Sequence, residues 1–172
     1  DCEIAIVDEN DDPVDMPGTG EMKARGLGTS SGYWRKGELT GKVFRNGWFY
    51  TEDICSVDEK GYVYIIDRKK DMIITGGENV YPAEIEKVLN EHPAVRESSA
   101  IGVPHPLWGE AITAIIVLHE DQTVSESDII GYCKGKIAGY KVPKSVHFIG
   151  ELPRNPAGKI SKPELRRQFG AQ

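Results

Sequence analysis

The chain has 172 residues, enough for one domain of ordinary size or for a small domain joined to part of another. Apolar residues make up 39 % and charged residues 28 %, which excludes collagen-like and wholly disordered chains and leaves a globular one. The net charge of -6 is unevenly spread, at -6 over residues 1–66, -7 over 67–133 and +7 over 134–172, so the last block reads as a basic patch able to attract a polyanion, while the acidic total disfavours nucleic acid.

Glu3 to Asp8 and Glu21 to Arg25 read as short strands, with Glu9-Asn10-Asp11-Asp12 as a turn and proline and glycine punctuation between them. A Gly/Ser-rich loop from Gly26 to Gly32 precedes a polar stretch to Phe44 with room for a short helix, and Trp48 to Thr51 returns to a strand. A hairpin follows from Ile54 to Val57 and from Tyr62 to Asp67, turning at Asp58-Glu59-Lys60-Gly61. Residues 1–66 are thus expected to form a small β-barrel-like segment, with a domain boundary at about Asp67 to Asp71. Beyond it come a strand from Met72 to Thr75, a glycine pair, and a helix that Pro82 starts and to which Ile85, Val88 and Leu89 give one apolar face. Two more strands fit Val95 to Val103 and Ala111 to Leu118. Ser125-x-x-Asp128 has the form of a capping box ahead of Ile129, Ile130, Cys133 and Ile137, and predicts a second amphipathic helix. A short strand from Ser145 to Ile149, a proline-bearing loop and a helix capped by Ser161-x-x-Glu164 complete a compact α+β domain over 67–172.

Ala111 to Leu118 is also the longest apolar stretch, far short of the ~20 residues of a membrane-spanning helix. The acidic opening Asp1-Cys2-Glu3 lacks the basic start and apolar run of a signal peptide, and the chain reads as cytoplasmic. Cys2, Cys55 and Cys133 lie far apart without C-x-x-C spacing, and His92, His105, His119 and His147 have no ligand spacing, so neither a disulfide framework nor a metal site is expected. Gly28-Thr29-Ser30-Ser31-Gly32 matches the G-x-S-x-G pattern of a hydrolase nucleophile elbow, but Tyr33-Trp34-Arg35-Lys36-Gly37 follows where a helix should start at once. Neither G-x-x-x-x-G-K-[ST] nor G-x-G-x-x-G occurs, so nucleotide phosphates have no ordinary cradle here.

The densest signal runs from Asp67-Arg68-Lys69-Lys70-Asp71 through Met72-Ile73-Ile74-Thr75-Gly76-Gly77-Glu78-Asn79-Val80-Tyr81-Pro82-Ala83-Glu84-Ile85-Glu86. A charged linker gives way to a buried strand and then to a glycine turn where backbone can approach a ligand closely. Together with Gly32-Tyr33-Trp34, Gly47-Trp48-Phe49-Tyr50-Thr51-Glu52-Asp53 and Leu152-Pro153-Arg154-Asn155-Pro156-Ala157-Gly158-Lys159-Ile160, this run resembles the adenylate-forming superfamily of acyl-CoA synthetases, peptide-synthetase adenylation domains and luciferases. The Gly-Gly-Glu-Asn form with Tyr-Pro-Ala-Glu-Ile-Glu is most similar to the acyl-CoA ligases.

The resemblance implies a two-step reaction. A carboxylate attacks the α-phosphate of Mg-ATP to give an acyl-adenylate, and the thiolate of coenzyme A then displaces AMP. By similarity, Asp53 would accept hydrogen bonds from the ribose hydroxyls, with Arg68 assisting, and Lys159 would bridge the substrate carboxylate and the α-phosphate. Pro153 and Pro156 stiffen the lysine loop and Gly158 turns it. Lys70 matches the hinge about which the small domain swings between the two half-reactions, and Gly76 and Gly77 would line the pantetheine channel. The basic block would belong to the lid, with Lys141 or Lys144 meeting CoA phosphates.

Position 52 is Glu52 where the family normally has glycine, and a carboxylate there is expected to repel ATP phosphates unless it tilts outward. The phosphate loop, adenine pocket and acyl pocket of the family, with most of the phosphate and Mg2+ sites, correspond to residues before Asp1, so the chain is expected to be the β-rich tail of a large domain plus a lid, inactive alone. The acid could be fatty, aromatic or short. Two alternatives stand beside the ligase: an adenylation domain that loads a carrier protein, disfavoured by the 13 residues after Lys159, and a noncatalytic module that binds nucleotide or CoA.

Overall fold

The computed structural model describes residues 2–170 and divides into two compact units between Lys70 and Asp71. The first unit contains β1 (Cys2–Val7), β2 (Gly18–Gly26), α1 (Gly37–Val43), β3 (Phe44–Arg45), β4 (Trp48–Val57) and β5 (Val63–Arg68). These strands form one antiparallel sheet in the order β1-β2-β4-β3, with β5 also on β4. Ile6, Cys55 and Val57 are buried on one face with Val14 and Met22 against them, the alternation expected of a sheet with one covered side. Both acidic turns are closed by an aspartate acting on its own backbone. Asp8 Oδ1 accepts the amides of Asn10 and Asp12 at 2.8 and 3.0 Å, and Asp58 Oδ1 accepts those of Lys60 and Tyr62 at 2.9 Å each.

One reading of this unit changes. The segments Trp48 to Thr51 and Ile54 to Val57 are one continuous strand, kinked by Glu52 at φ 60° and by a register shift between Ile54 and Cys55. The division between Lys70 and Asp71 lies within the boundary expected at about Asp67 to Asp71, and β5 stays paired with β4 through Asp53 and Arg68.

The second unit contains β6 (Ile73–Thr75), β7 (Glu78–Val80), α2 (Pro82–Asn90), β8 (Val95–His105), β9 (Gly109–Leu118), α3 (Glu126–Cys133), β10 (Ser145–Phe148) and α4 (Lys162–Phe169). β9 is central: β8 runs antiparallel along one edge, while β10 (parallel) and β6 (antiparallel) share the other. Its sequence is almost continuously apolar because both of its faces are covered. Ile112, Ala114 and Ile116 pack with Ile85, Val88 and Leu89 of α2 and Ile129 and Cys133 of α3. Ile115 and Val117 on the opposite face pack with Leu152 and with Leu165 of α4. At about 1.5–3 kcal/mol for each fully buried aliphatic side chain, these two clusters are the main source of this unit's stability.

Ser125 and Asp128 form the expected capping box, Ser125 Oγ accepting the Asp128 amide at 3.2 Å and Asp128 Oδ2 accepting the Ser125 amide at 3.1 Å. α3 nevertheless stops at Cys133, short of Ile137, because Lys134 is extended and Gly135 turns the chain at φ 83°. The box expected at Ser161 does not form. The Ser161 amide donates to the Pro153 carbonyl at 2.7 Å, and Glu164 accepts from Gln168 and Arg167 instead. Among the described residues no helix is long and apolar enough to cross a membrane.

Candidate functional site

In the first unit, the kink in β4 brings Asp53 opposite Arg68 on β5. Arg68 Nη1 donates to Asp53 Oδ1 at 2.7 Å, and its Nη2 lies 3.7 Å from Glu52 Oε2. Thr51 Oγ1 donates to the Met22 carbonyl and accepts the Asp53 amide at 3.1 Å, which fixes the backbone on which the carboxylate stands. The Asp53 side chain is 19 % exposed, whereas Arg68 and Glu52 are each 45 % exposed. The site is thus a carboxylate held by one arm of a guanidinium, with Glu52 turned toward the other arm.

In the second unit, Gly76 and Gly77 turn the chain between β6 and β7 at φ 61° and 85°, where a side chain would be strained. A Cβ at either would meet no atom within 4 Å, so the space in front of the turn is open. The Gly76 amide donates to the Trp108 carbonyl at 2.9 Å. A pocket of about 360 Å³ lies here, lined by Thr75, Gly76, Glu78, Trp108, Tyr140 and Lys144 among others. Lys144 Nζ stands 5.2 Å from the centre of the Trp108 ring, whose other neighbour is the stacked imidazole of His105 at 4.3 Å. Trp108 and Tyr140 escaped the sequence reading, although the exposed pair Leu107-Trp108 just before a glycine was a visible signal.

Lys159 lies on a separate loop whose two ends are anchored in the core by Leu152 and Ile160. Asn155 organises the tip. Its Oδ1 accepts the amides of Ala157 and Lys159 at 3.0 Å each, and its own amide donates to the Lys159 carbonyl at 2.8 Å. Arg154 bridges outward to Glu97 at 2.7 Å and back to the Gly158 carbonyl at 3.0 Å. The loop is therefore rigid up to the lysine, while Lys159 itself is exposed and has no carboxylate partner among the described residues.

The basic block is less of a free patch than its +7 charge implied. Lys136, Lys141, Arg154, Lys162, Arg166 and Arg167 pair with Glu91, Glu84, Glu97, Glu86, Asp71 and Glu164 respectively. Lys134, Lys144 and Lys159 are the cations of the block left without a carboxylate among the described residues. The Lys141 ammonium, 2.6 Å from Glu84 and 19 % exposed, has its pKa raised chiefly by that hydrogen bond. Of the two lysines expected near CoA phosphates, Lys144 is the one with its charge available.

Other candidates resolve into packing. Ser30 Oγ donates to the Gly32 carbonyl and accepts the Gly32 amide, closing its own loop, and α1 starts only at Gly37, so the G-x-S-x-G segment is no nucleophile elbow. Burial raises the Cys55 and Cys133 thiols, which makes both poor nucleophiles. His92 and His147 pack on Tyr132 and Phe169. Among the described residues no cluster of His, Cys, Asp and Glu could hold a metal ion.

Residues 84–159 match the AMP-binding enzyme C-terminal domain. The chain is 42 % identical to a feruloyl-CoA synthase from Amycolatopsis over 98 % of its own length and 34 % of that protein's. It is 52 % identical to the long-chain-fatty-acid–CoA ligase FadD13 of Mycobacterium tuberculosis over 81 % of its length and 27 % of the relative's. ATP-bound MatB from Rhodopseudomonas palustris superposes with a TM-score of 0.91 at 39 % identity, covering 99 % of this chain and 34 % of MatB. o-Succinylbenzoate CoA synthetase from Bacillus subtilis, in complex with its acyl-adenylate intermediate, superposes at 0.89 with 36 % identity, covering 96 % and 34 %. The chain spans about a third of the length of the curated relatives it matches.

Proposed function

Because the chain belongs to the adenylate-forming, AMP-binding enzymes and carries their C-terminal domain, we propose that it is the lid-bearing part of an ATP-dependent carboxylic acid–CoA ligase. The single observation that carries this reading is Lys159: an ammonium without a carboxylate partner among the described residues, held on a loop that Asn155, Leu152 and Ile160 fix in place. A preorganised cation of this kind is suited to the charge that develops when a carboxylate oxygen attacks the α-phosphorus and the bond to pyrophosphate breaks. Asp53 accepts from the ribose hydroxyls, since an ionised carboxylate is acceptor-only and only one arm of Arg68 engages it directly.

In the second half-reaction the CoA thiolate attacks the acyl carbonyl and AMP departs. The open space before Gly76 and Gly77 suits the thin pantetheine chain, Trp108 and Tyr140 offer apolar faces beside it, and Lys144, without a carboxylate partner among the described residues, supplies a cation for a phosphate. Lys70, the last residue of the first unit, is the hinge that lets one nucleotide site serve both steps. The donors for Mg2+ belong to the part of the enzyme outside this chain. The named relatives act on aromatic and long-chain acids alike, and the acid is chosen outside this chain too.

The test is made on the full-length protein. Acid-dependent ATP–pyrophosphate exchange, followed by CoA-dependent release of AMP, is the expected behaviour, with CoA affinity falling on Lys144→Glu and at high salt. Nucleotide binding without pyrophosphate exchange would leave the noncatalytic module instead.

A further inference from the structure

The glycine turn hangs from a thinly paired strand. β6 meets the central strand β9 at one ladder position, Thr75 against Gly109. On either side of that position the attachment comes from elsewhere. The Gly76 amide donates to the Trp108 carbonyl at 2.9 Å, and the Ile74 amide donates to the side chain of Glu110, at 2.8 Å from Oε2. Ile74 is 50 % exposed, so apolar burial does little to hold it. The Glu110 carboxylate lies over Gly102 of β8, where a Cβ would stand 2.7 Å from both its Cδ and its Oε1. β8 thus omits a side chain where Glu110 crosses it.

We propose that Glu110 is a positioning residue for the thioester half-reaction: by crossing Gly102 to accept the Ile74 amide, its carboxylate holds the Gly76–Gly77 turn against β9 where the pantetheine chain of CoA passes. The proposal rests on the ligase reading. Glu110 touches no substrate and acts through the turn, and adenylation does not use the turn, so its loss separates the two half-reactions.

Glu110→Ala, Glu110→Gln and Gly102→Ala are compared in the full-length protein for pyrophosphate exchange, for single-turnover transfer of the acyl group to CoA, and for amide hydrogen exchange at Ile74. Glu110→Ala is expected to slow transfer by about tenfold or more and to speed Ile74 exchange, with pyrophosphate exchange within about twofold of wild type. Glu110→Gln keeps an acceptor oxygen and restores transfer. Gly102→Ala, whose methyl displaces the carboxylate, repeats the loss and adds nothing to Glu110→Ala. Unchanged transfer in Glu110→Ala, or an equal fall in both half-reactions, overturns the proposal while the ligase reading stands. Absence of pyrophosphate exchange in the wild type removes the ligase reading and this proposal with it.

Discussion

Arg166 on α4 grips Asp71, the first residue of the second unit, through side chain and backbone together: Nη1 donates to the carboxylate at 3.1 Å and Nη2 to the carbonyl at 3.5 Å. The Asp71 side chain is 12 % exposed and the Arg166 side chain 30 %. One turn earlier on the same helix, Lys162 pairs with Glu86, which also accepts the Ala100 amide at 2.9 Å. α4 is therefore tied by ions at two successive turns, beside the buried Leu165.

Removing one member of the Asp71 pair leaves the other charged and poorly solvated. Arg166→Met is expected to lower the stability of the second unit by about 2 kcal/mol, below the full penalty for a buried pair because both groups are partly exposed. Asp71→Asn keeps an acceptor for the guanidinium and should cost about half as much. Denaturant unfolding measures both, and a larger loss for Asp71→Asn would contradict the account.

Glu52 stands at φ 60°, a left-handed conformation that costs an ordinary residue about 1–2 kcal/mol, while glycine's greater freedom in the unfolded chain offsets about 0.5–1. Glu52→Gly should therefore stabilise the first unit by about 0.5 kcal/mol, since the exposed contact with Arg68 at 3.7 Å contributes little. It also takes a negative charge away from Asp53, and nucleotide affinity of the full-length protein should rise. Thermal unfolding and equilibrium binding of AMP measure the two effects, and a fall in both would contradict them.

Acid should unfold the two units unequally. Among the described residues of the first unit, four carboxyls lie below their ordinary pKa: Glu3 through Arg25, Asp8 through the amide of Asp12, Asp11 through Lys23 and Tyr50, and Asp58 through the amide of Tyr62. In the second unit Asp128 is depressed, by the Ser125 side chain. A depressed carboxyl contributes stability above its unfolded pKa, near 4, and loses it as pH falls through the lower folded value. Between about pH 5 and 2 the first unit should therefore lose more stability than the second, and Asp8→Asn should flatten its pH dependence. Amide exchange followed unit by unit would detect this, and parallel loss in both would refute it.

Lys70 sits in the short 3₁₀ turn of residues 69–71 that joins the units. Proline there restricts the backbone torsions that a hinge must change. In the full-length protein, Lys70→Pro should slow acyl transfer to CoA far more than pyrophosphate exchange. Equal loss in the two assays would point to misfolding rather than to a hinge.

What was legible in the sequence follows from the range of the interactions involved. The capping box at Ser125 could be read because all its partners lie within four residues, while the same pattern at Ser161 failed because the distant Pro153 carbonyl claims the Ser161 amide. β9 was plain from its apolar run, but β7, three residues with Glu78 and Asn79 exposed, carries no periodic signal. The basic block misled because Lys141, Lys162 and Arg166 meet carboxylates 57, 76 and 95 residues away, which no local pattern reveals. Asp53 and Arg68 were legible as separate motif residues, and it took the strand register to bring them together. Trp108 and Tyr140 reach the glycine-turn pocket, and Glu110 the Ile74 amide behind it, only through loops and strand ends that the fold gathers.

The most direct measurement is acid-dependent ATP–pyrophosphate exchange by the full-length protein, wild type against Lys159→Ala. Lys159 is exposed and its ammonium has no carboxylate partner among the described residues, so the substitution should leave the fold intact. The account predicts a loss of ~10²-fold or more, the scale of one preorganised electrostatic donor. An exchange rate close to wild type in a folded Lys159→Ala protein would contradict it.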